Sequence, residues 1–532
     1  MKKINIALSA LLLGLAVCSC QKELDIPQKS VLTIDSYYEN AGPEEAEALI
    51  AAVYKNFYSG VNGIEKIVYL DVLSDDHLPG GGGFSDAANH FQDTGNLLAT
   101  STHESPRVMY QSIYKVMYYC NLILERIPET NDATINRVKA EANFMRALCM
   151  FEAVRWWGTP PFVTSTVSKE DYDMPNGDTE EIIKWVLDQM KDAADKLPEL
   201  KSKGGQRSFG ARVSKQAALA YRGKVGLWYG QKYSKKEYVT AAVADLKSVI
   251  KSGVYGLQKD MYAIARVAGN FSEENVFEYN GGDNGVSGTQ LVDIRQTWMS
   301  LRNDDMSIPA TMSGGWGWDV PSGEFGKFLE QHEGGIDKPR FKSTIMTYDQ
   351  IVAESGGEVR NPIAYCEGYF RVRSVNYIAD KYQIQHFWTY NRANQVYLRY
   401  AEVLLLYAEA KLITDNDADG SGLAALNEVR RRADLEDAPV LDWKTLKDER
   451  RAELWNEQER YFDLVRWGDA STVLKDKGKS LSLFKGYKNG SKEWDIELRQ
   501  GPGSGWNDKY ELLPFPYQQL SSNSLLDQNK GW

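Results

Sequence analysis

The chain has 532 residues, of which 62 are basic and 73 acidic, for a formal charge of −11. That acidic excess excludes a cationic surface for nucleic acid and argues against adhesion to anionic lipid headgroups through protein charge. At this length the chain exceeds the usual size of one hydrophobic core, so two lobes or a helical scaffold with large insertions is expected.

The first residues are Lys2 and Lys3, an apolar run from Ile4 to Val17, and then Cys18-Ser19-Cys20. A basic start, a short apolar stretch and small residues before a cut make a secretory signal, too short to span a membrane as a mature helix. Residues 1–19 therefore read as a lipoprotein signal peptide, with Cys20 as the lipidated N-terminus that anchors the molecule at a membrane. Loss of the two signal lysines lowers the basic count from 62 to 60 and takes the charge to −13. Residues 20–40 follow as a polar tether containing Glu23 and Asp25, and no later segment is apolar enough to span.

Residues 41–268 read as helical, with a loop insertion at 71–106 that contains Gly80-Gly81-Gly82-Gly83. From Pro43 to Tyr58, Ala46, Leu49, Ile50, Val53, Tyr54 and Phe57 recur at helical steps behind a proline suited to the first turn. Further helices are predicted over 107–127, 134–157, 179–197, 214–229 and 235–252. The last of these carries a capping box of Ser234 with Glu237 and a stop at Gly253. Residues 269–392 form a second, loop-rich insertion, dense in Gly, Trp and Tyr. Helices return over 395–413, 422–433 and 442–461 within the C-terminal region 393–532. Small residues at Ala140, Ala142, Ala147, at Ala217, Ala220, Gly223, and at Ala401, Ala408, Ala410 let paired helices approach closely. The fold class is therefore mainly α: a tetratricopeptide-like scaffold of helical hairpins with large loop-rich insertions.

Cys120, Cys149 and Cys366 are too few and too widely spaced for a disulfide framework or a metal knuckle, and Cys120 and Cys149 read as small core residues. Five histidines lie scattered without an HExxH pattern, and there is no GxSxG, P-loop or GxGxxG opening a helix. Asp415, Asp417, Asp419 and Gly420 resemble the start of a calcium loop. Leu426 stands where a bidentate Glu belongs, so acidic capping of the next helix competes with a calcium site.

The C-terminal third carries Leu398-Arg399-Tyr400-Ala401-Glu402 through Ala410, Leu426-Asn427-Glu428-Val429-Arg430-Arg431-Arg432-Ala433 and Glu449-Arg450-Arg451-Ala452-Glu453-Leu454. Arg460-Tyr461-Phe462-Asp463-Leu464-Val465-Arg466-Trp467, Leu513-Pro514-Phe515-Pro516, Asn523 and Gln528-Asn529 follow. In order and spacing these motifs resemble the SusD/RagB family of surface nutrient-binding lipoproteins. So do Arg155-Trp156-Trp157-Gly158-Thr159-Pro160-Pro161-Phe162 and the acidic stretch after Cys20. The resemblance implies a lid on a SusC-like TonB-dependent transporter in the outer membrane, exposed at the cell surface, that captures oligosaccharides for import. Peptide capture, as in RagB-like complexes, is the alternative. Read from the residues alone, Glu449, Arg451, Glu453, Arg460, Asp463 and Arg466 lie at helical spacing and are expected to form helix-surface ion pairs.

Sugar recognition calls for flat aromatic faces and polar groups for hydroxyls. The first insertion supplies Asp75, Asp76, His77, Phe84, His90 and Asn96, and the second Trp298, Arg302, Trp316 and Trp318, then Tyr365, Tyr369 and Arg371. Trp316, Trp318, Trp298, Asp75, Asp76, His77 and His90 are the candidate ligand contacts. No metal site and no catalytic residue is assigned. Adjacent carboxylates such as Asp75 and Asp76 rarely face each other, whereas glycosidase chemistry needs two held about 5 to 10 Å apart.

Overall fold

The computed structural model describes residues 41–168, 171–205, 210–279, 295–380 and 391–532; the signal, Cys20 and the tether lie outside the described residues. Helices α1 (Pro43–Asn56) and α2 (Ile64–Leu73) lead to strand β1 (His77–Gly80) and the short α3 (Asn89–Gly95). The scaffold proper follows as α4 (Glu104–Arg126), α5 (Ala133–Trp157), α6 (Thr179–Lys196), α7 (Lys215–Lys232) and α8 (Lys236–Lys251). Each of these packs on the next.

The chain then leaves the stack. It forms β2 (Asn275–Tyr279), α9 (Arg295–Met299), β3 (Trp318–Pro321), α10 (Gly323–Glu333), α11 (Pro339–Thr344) and β4 (Ile345–Thr347). Next come α12 (Tyr348–Ser355), β5 (Ile363–Ala364), β6 (Tyr369–Arg371) and β7 (Gln395–Arg399). Helix α13 (Tyr400–Asp415) returns to dock on α8, and α14 (Ser421–Arg432) packs on α13. The stack of paired helices thus continues across an insertion of more than a hundred residues. Helices α15 (Trp443–Glu453), α16 (Arg460–Trp467) and α17 (Ala470–Val473), strands β8 (Ser480–Tyr487) and β9 (Trp494–Gln500), and α18 (Tyr517–Ser522) complete the chain.

Small residues set the α7–α8 distance. A Cβ at Gly223 would lie 2.6 Å from Leu246, and one at Gly230 would lie 2.8 Å from the Lys235 carbonyl. The capping box predicted for α8 does not form. Ser234 has φ 56° in the short turn from α7, and the helix starts behind Lys235 without a side-chain cap. Gly253, at φ 66°, does end that helix.

Two other boundaries differ from the sequence reading. Residues 395–399 are strand β7, antiparallel to β2, because the backbone groups of β2 offer them a ladder that helix extension would forfeit. The single helix expected over 442–461 is two, separated where Asn456 and Gln458 take φ 66° and 60°. Helix α2 escapes pattern reading because every residue from Ile67 to Leu73 is buried, which leaves no amphipathic period.

The main core runs through the helical stack and includes Trp156, Trp157, Cys120 and Cys149. Trp157 stacks on Phe515 and donates Nε1–H to the Pro514 carbonyl at 3.0 Å, so the early Trp-Trp-Gly motif interlocks with the C-terminal Pro-Phe-Pro motif. Gln528 clamps both backbone groups of Phe515. A second core gathers Met306, Met346, Ile351, Cys366 and Phe370 of the second insertion around Phe484 of β8.

Of the charged residues expected on helix surfaces, Glu449, Glu453, Asp463 and Arg466 are buried instead, and Arg451 and Arg460 are half-buried. Glu453 is fully buried among Arg340, Arg399 and Arg432, and Glu449 lies between Arg340 and Arg430. Asp463 joins Arg450 to Arg466, whose guanidinium also grips Glu409. This web ties α13, α14, α15 and α16 to the insertion helix α11. Opposite charges at helical spacing say which groups can pair, but they do not say that a neighbouring layer covers the pair.

Candidate functional site

The two insertions meet in one sheet. Strand β1 pairs antiparallel with β3, with His77 opposite Pro321 and Gly80 opposite Trp318. The tetraglycine run exists for this approach. Gly80 and Gly81 have φ 74° and 91°, and a Cβ on Gly80 would sit 2.1 Å from the Gly317 carbonyl. Gly81 N–H donates to that same carbonyl at 2.8 Å, and Gln92 holds the loop by donating to the Gly80 and Gly83 carbonyls.

Above this sheet lies an aromatic cluster. Trp318 is only 2% exposed and packs with Val68, Val72 and Phe91, so it braces the site from below and cannot offer a face to a ligand, contrary to the sequence reading. Trp298 and Trp316 pack against that cluster while keeping part of their surface in solvent. Their centroids are 4.5 Å apart at 75°, and Trp298 also meets Phe91 edge to face. Arg302 donates from Nη1 to the Trp316 carbonyl at 3.4 Å, while its Nε lies 3.0 Å from Asp305. A Cβ on Gly82 would lie 2.9 Å from Arg302 Nη1 and 2.7 Å from Asp86, so a larger residue there would displace the ends of both side chains. Phe84 flanks them, half-buried against Tyr365 and below the Arg499 guanidinium.

The carboxylates and the first histidine of the sequence reading lie beneath this platform. Asp75 accepts a two-pronged hydrogen bond from Arg460, at 2.8 and 2.9 Å, and Asp76 accepts from Arg451 Nε at 2.7 Å. Burial raises the Asp75 pKa, but Arg460 and Arg451 more than reverse this and hold it well below the usual carboxylate range. Both aspartate side chains are thus counter-ions to arginine, turned away from solvent, and neither is free to contact a ligand.

His77 is 1% exposed, stacks on Trp455 at 4.7 Å and shares a 2.6 Å contact with Asp319. Burial alone would lower its pKa; the Asp319 and Asp71 carboxylates overturn that and hold it above the ordinary value. Burial and the nearby Asp319 charge push Asp71 up to about 7. Asp71, His77 and Asp319 are the one group of potential metal ligands among the described residues. Arg371 lies 2.6 Å from Asp319, and Gln458 donates to Asp71 at 2.9 Å, so the carboxylates already have partners from the protein. His90 is partly exposed at the edge, where its Nε2 is 3.1 Å from Glu65.

The acidic loop after α13 does not gather its carboxylates. Asp417 accepts from Gly422 N–H and Leu423 N–H at the start of α14, and Lys411 Nζ reaches both Asp415 and Asp419. Helix capping and a lysine use the groups that would otherwise surround a cation. The platform side chains that reach solvent are therefore Trp298, Trp316, Arg302, Phe84, Asp86 and His90. Arg302 and Phe84 were weaker expectations from the sequence, and Asp86 was missed because an Asp after glycines ordinarily reads as a turn residue.

The paired-helix scaffold thus carries a loop-borne aromatic platform outside its helical repeats. Two family models match the chain, one described as "SusD family" over residues 325–532 and one as "Starch-binding associating with outer membrane" over residues 34–227. A SusD-like protein of Formosa agariphila, P38, is 23% identical with 99% of each chain covered. Among solved structures, a laminarin-binding SusD-like protein superposes with a TM-score of 0.72 at 25% identity, covering 92% of this chain and 99% of the other. Surface glycan-binding protein A from Bacteroides thetaiotaomicron, solved in complex with laminarihexaose, gives 0.68 at 18% identity, covering 91% and 99%. The chain belongs to the SusD/RagB family.

Proposed function

We propose that the protein is a cell-surface glycan-binding lipoprotein, lipidated at Cys20, that captures oligosaccharides and delivers them to a SusC-like TonB-dependent transporter in the outer membrane. The observation that carries the reading is the Trp298–Trp316 pair, braced by a buried ring cluster and flanked by Arg302 and Phe84. Half-exposed rings held at fixed angles give a sugar its apolar contact without the entropy cost of ordering them, and the guanidinium supplies donors for hydroxyls. The laminarin and laminarihexaose named for two structural relatives, and the outer-membrane description of one family model, support the same reading. Binding without cleavage fits Asp75 and Asp76, whose charges are already neutralised by arginine.

Calorimetric titration of residues 21–532 against laminarihexaose, maltohexaose, other plant, fungal and host oligosaccharides and casein peptides tests the proposal. A saturable sugar is expected, unhydrolysed after incubation. Trp298→Ala with Trp316→Ala should weaken it by about 1 to 3 kcal/mol per lost ring, roughly fivefold to 150-fold each, with unchanged helical circular dichroism. A peptide ligand in place of a sugar, or affinity indifferent to both tryptophans, would overturn it.

A further inference from the structure

A second cavity, of ≈ 340 Å³, opens between α4, residues 161–167 and 172–174, and the C-terminal helix α18. It shares no lining residue with the tryptophan platform. Tyr110, Tyr114 and Tyr118 stand four residues apart on α4, so they line one helix face at steps of about 6 Å. The ladder runs from buried to open: Tyr110 is 7% exposed and Tyr118 46%. Tyr172, 63% exposed, also lines the cavity.

The walls are fixed before any ligand arrives. Asn523 accepts from Met174 N–H at 3.2 Å and donates to the Met174 carbonyl at 2.8 Å. Asp173 accepts from the Ser524 hydroxyl at 2.7 Å, Asn176 pairs with both backbone groups of Asp527, and Tyr114 donates its hydroxyl to the Pro161 carbonyl at 2.8 Å. These clamps hold residues 173–176 against the chain end and Pro161 against α4, so large exposed rings border a preformed hollow.

Every lining side chain is uncharged. An ionised ligand would lose hydration there without gaining a counter-charge, and a purely aliphatic one would strip water from the Tyr118 and Tyr172 hydroxyls and the Gln519 amide without replacing it. A flat ring with an apolar face and a hydroxylated rim satisfies both demands, and the volume lies at the small end of ligand sites. We infer that this tyrosine-lined cavity is a second binding site for neutral sugar rings, independent of the tryptophan platform.

The test uses the purified mature protein with ring-labelled tyrosine, titrated by nuclear magnetic resonance with laminarihexaose, maltohexaose, methyl glucoside and N-acetyltryptophanamide. At least one sugar is expected to shift the Tyr118 and Tyr172 ring signals saturably. Those shifts should persist in the Trp298→Ala, Trp316→Ala double variant, which separates this site from the platform whether or not the platform binds. Calorimetry on Tyr118→Ala with Tyr172→Ala should show this component weakened at least tenfold, and because both rings are exposed the helical circular dichroism should not change. Shifts that vanish with the tryptophans would mean one site only. Shifts by N-acetyltryptophanamide alone would mark an apolar seat for protein side chains, and silence from all three sugars would remove the site; each result overturns the inference.

Discussion

Glu449 shows what the buried charges contribute. Burial raises its pKa, and Arg340, His332 and Arg430 reverse that and bring it down to about 2 from the ordinary 4.5. An acid depressed by folding stabilises the native state above its unfolded pKa, and that contribution is lost as pH falls from about 4.5 to about 2. The depression corresponds to about 3 kcal/mol, the same order as the roughly 3 to 5 kcal/mol expected for leaving a buried partner unpaired. Glu449→Gln should therefore lower unfolding stability at pH 7 by about that amount, and denaturant titrations should find the two proteins converging as the pH drops toward 2. A gap independent of pH would assign the loss to packing alone.

Among the elements, the α7–α8 contact sets helix propensity against space. Alanine in place of a helical glycine ordinarily gains about 1 kcal/mol, whereas overpacking a tight contact costs about 1 to 3. A Cβ on Gly230 would lie 2.8 Å from the Lys235 carbonyl, backbone that cannot swing aside, so Gly230→Ala is expected to lower the melting temperature. At the start of α14, Asp417→Ala should cost about 1 to 2 kcal/mol by stripping two backbone N–H groups of their acceptor. The melting temperature of the native protein should not respond to calcium or to a chelator. The scaffold was legible because amphipathic helices write a period into the sequence, as α1, α4 and α6 do. Helix α2 was not, since it is covered on all sides, and neither was the strand at 395–399, whose partner lies more than a hundred residues away. For the candidate site, aromatic residues in loops pointed to two insertions, which the structure brings together through β1 and β3. Which rings face out was decided by layers that no local pattern records: Trp316 and Trp318 are two residues apart, yet Trp316 reaches solvent and Trp318 is buried among Val68, Val72 and Phe91.

Across the whole molecule, the insertions and the C-terminal helices are bound by charge as much as by apolar packing. Asp75 and Asp76 on the segment after α2 meet Arg460 and Arg451 on α16 and α15, and β1 meets β3. The described part of the chain should therefore melt in one calorimetric transition despite its separate apolar cores. Replacing both Arg451 and Arg460 by Ala should make tryptophan fluorescence change before far-ultraviolet circular dichroism is lost, whereas a coincident loss would show that packing alone couples the parts. The strand pairing also bears on when the protein becomes competent. His77 and Asp319 are 242 positions apart, and Asp75 and Arg460 are 385 apart. A chain still being made or exported holds the tetraglycine loop long before the residues that shape it arrive. Ligand capture thus reports the finished molecule, and a fragment ending before Arg460, though it contains every platform tryptophan, should behave as a chain that has not yet learned to bind.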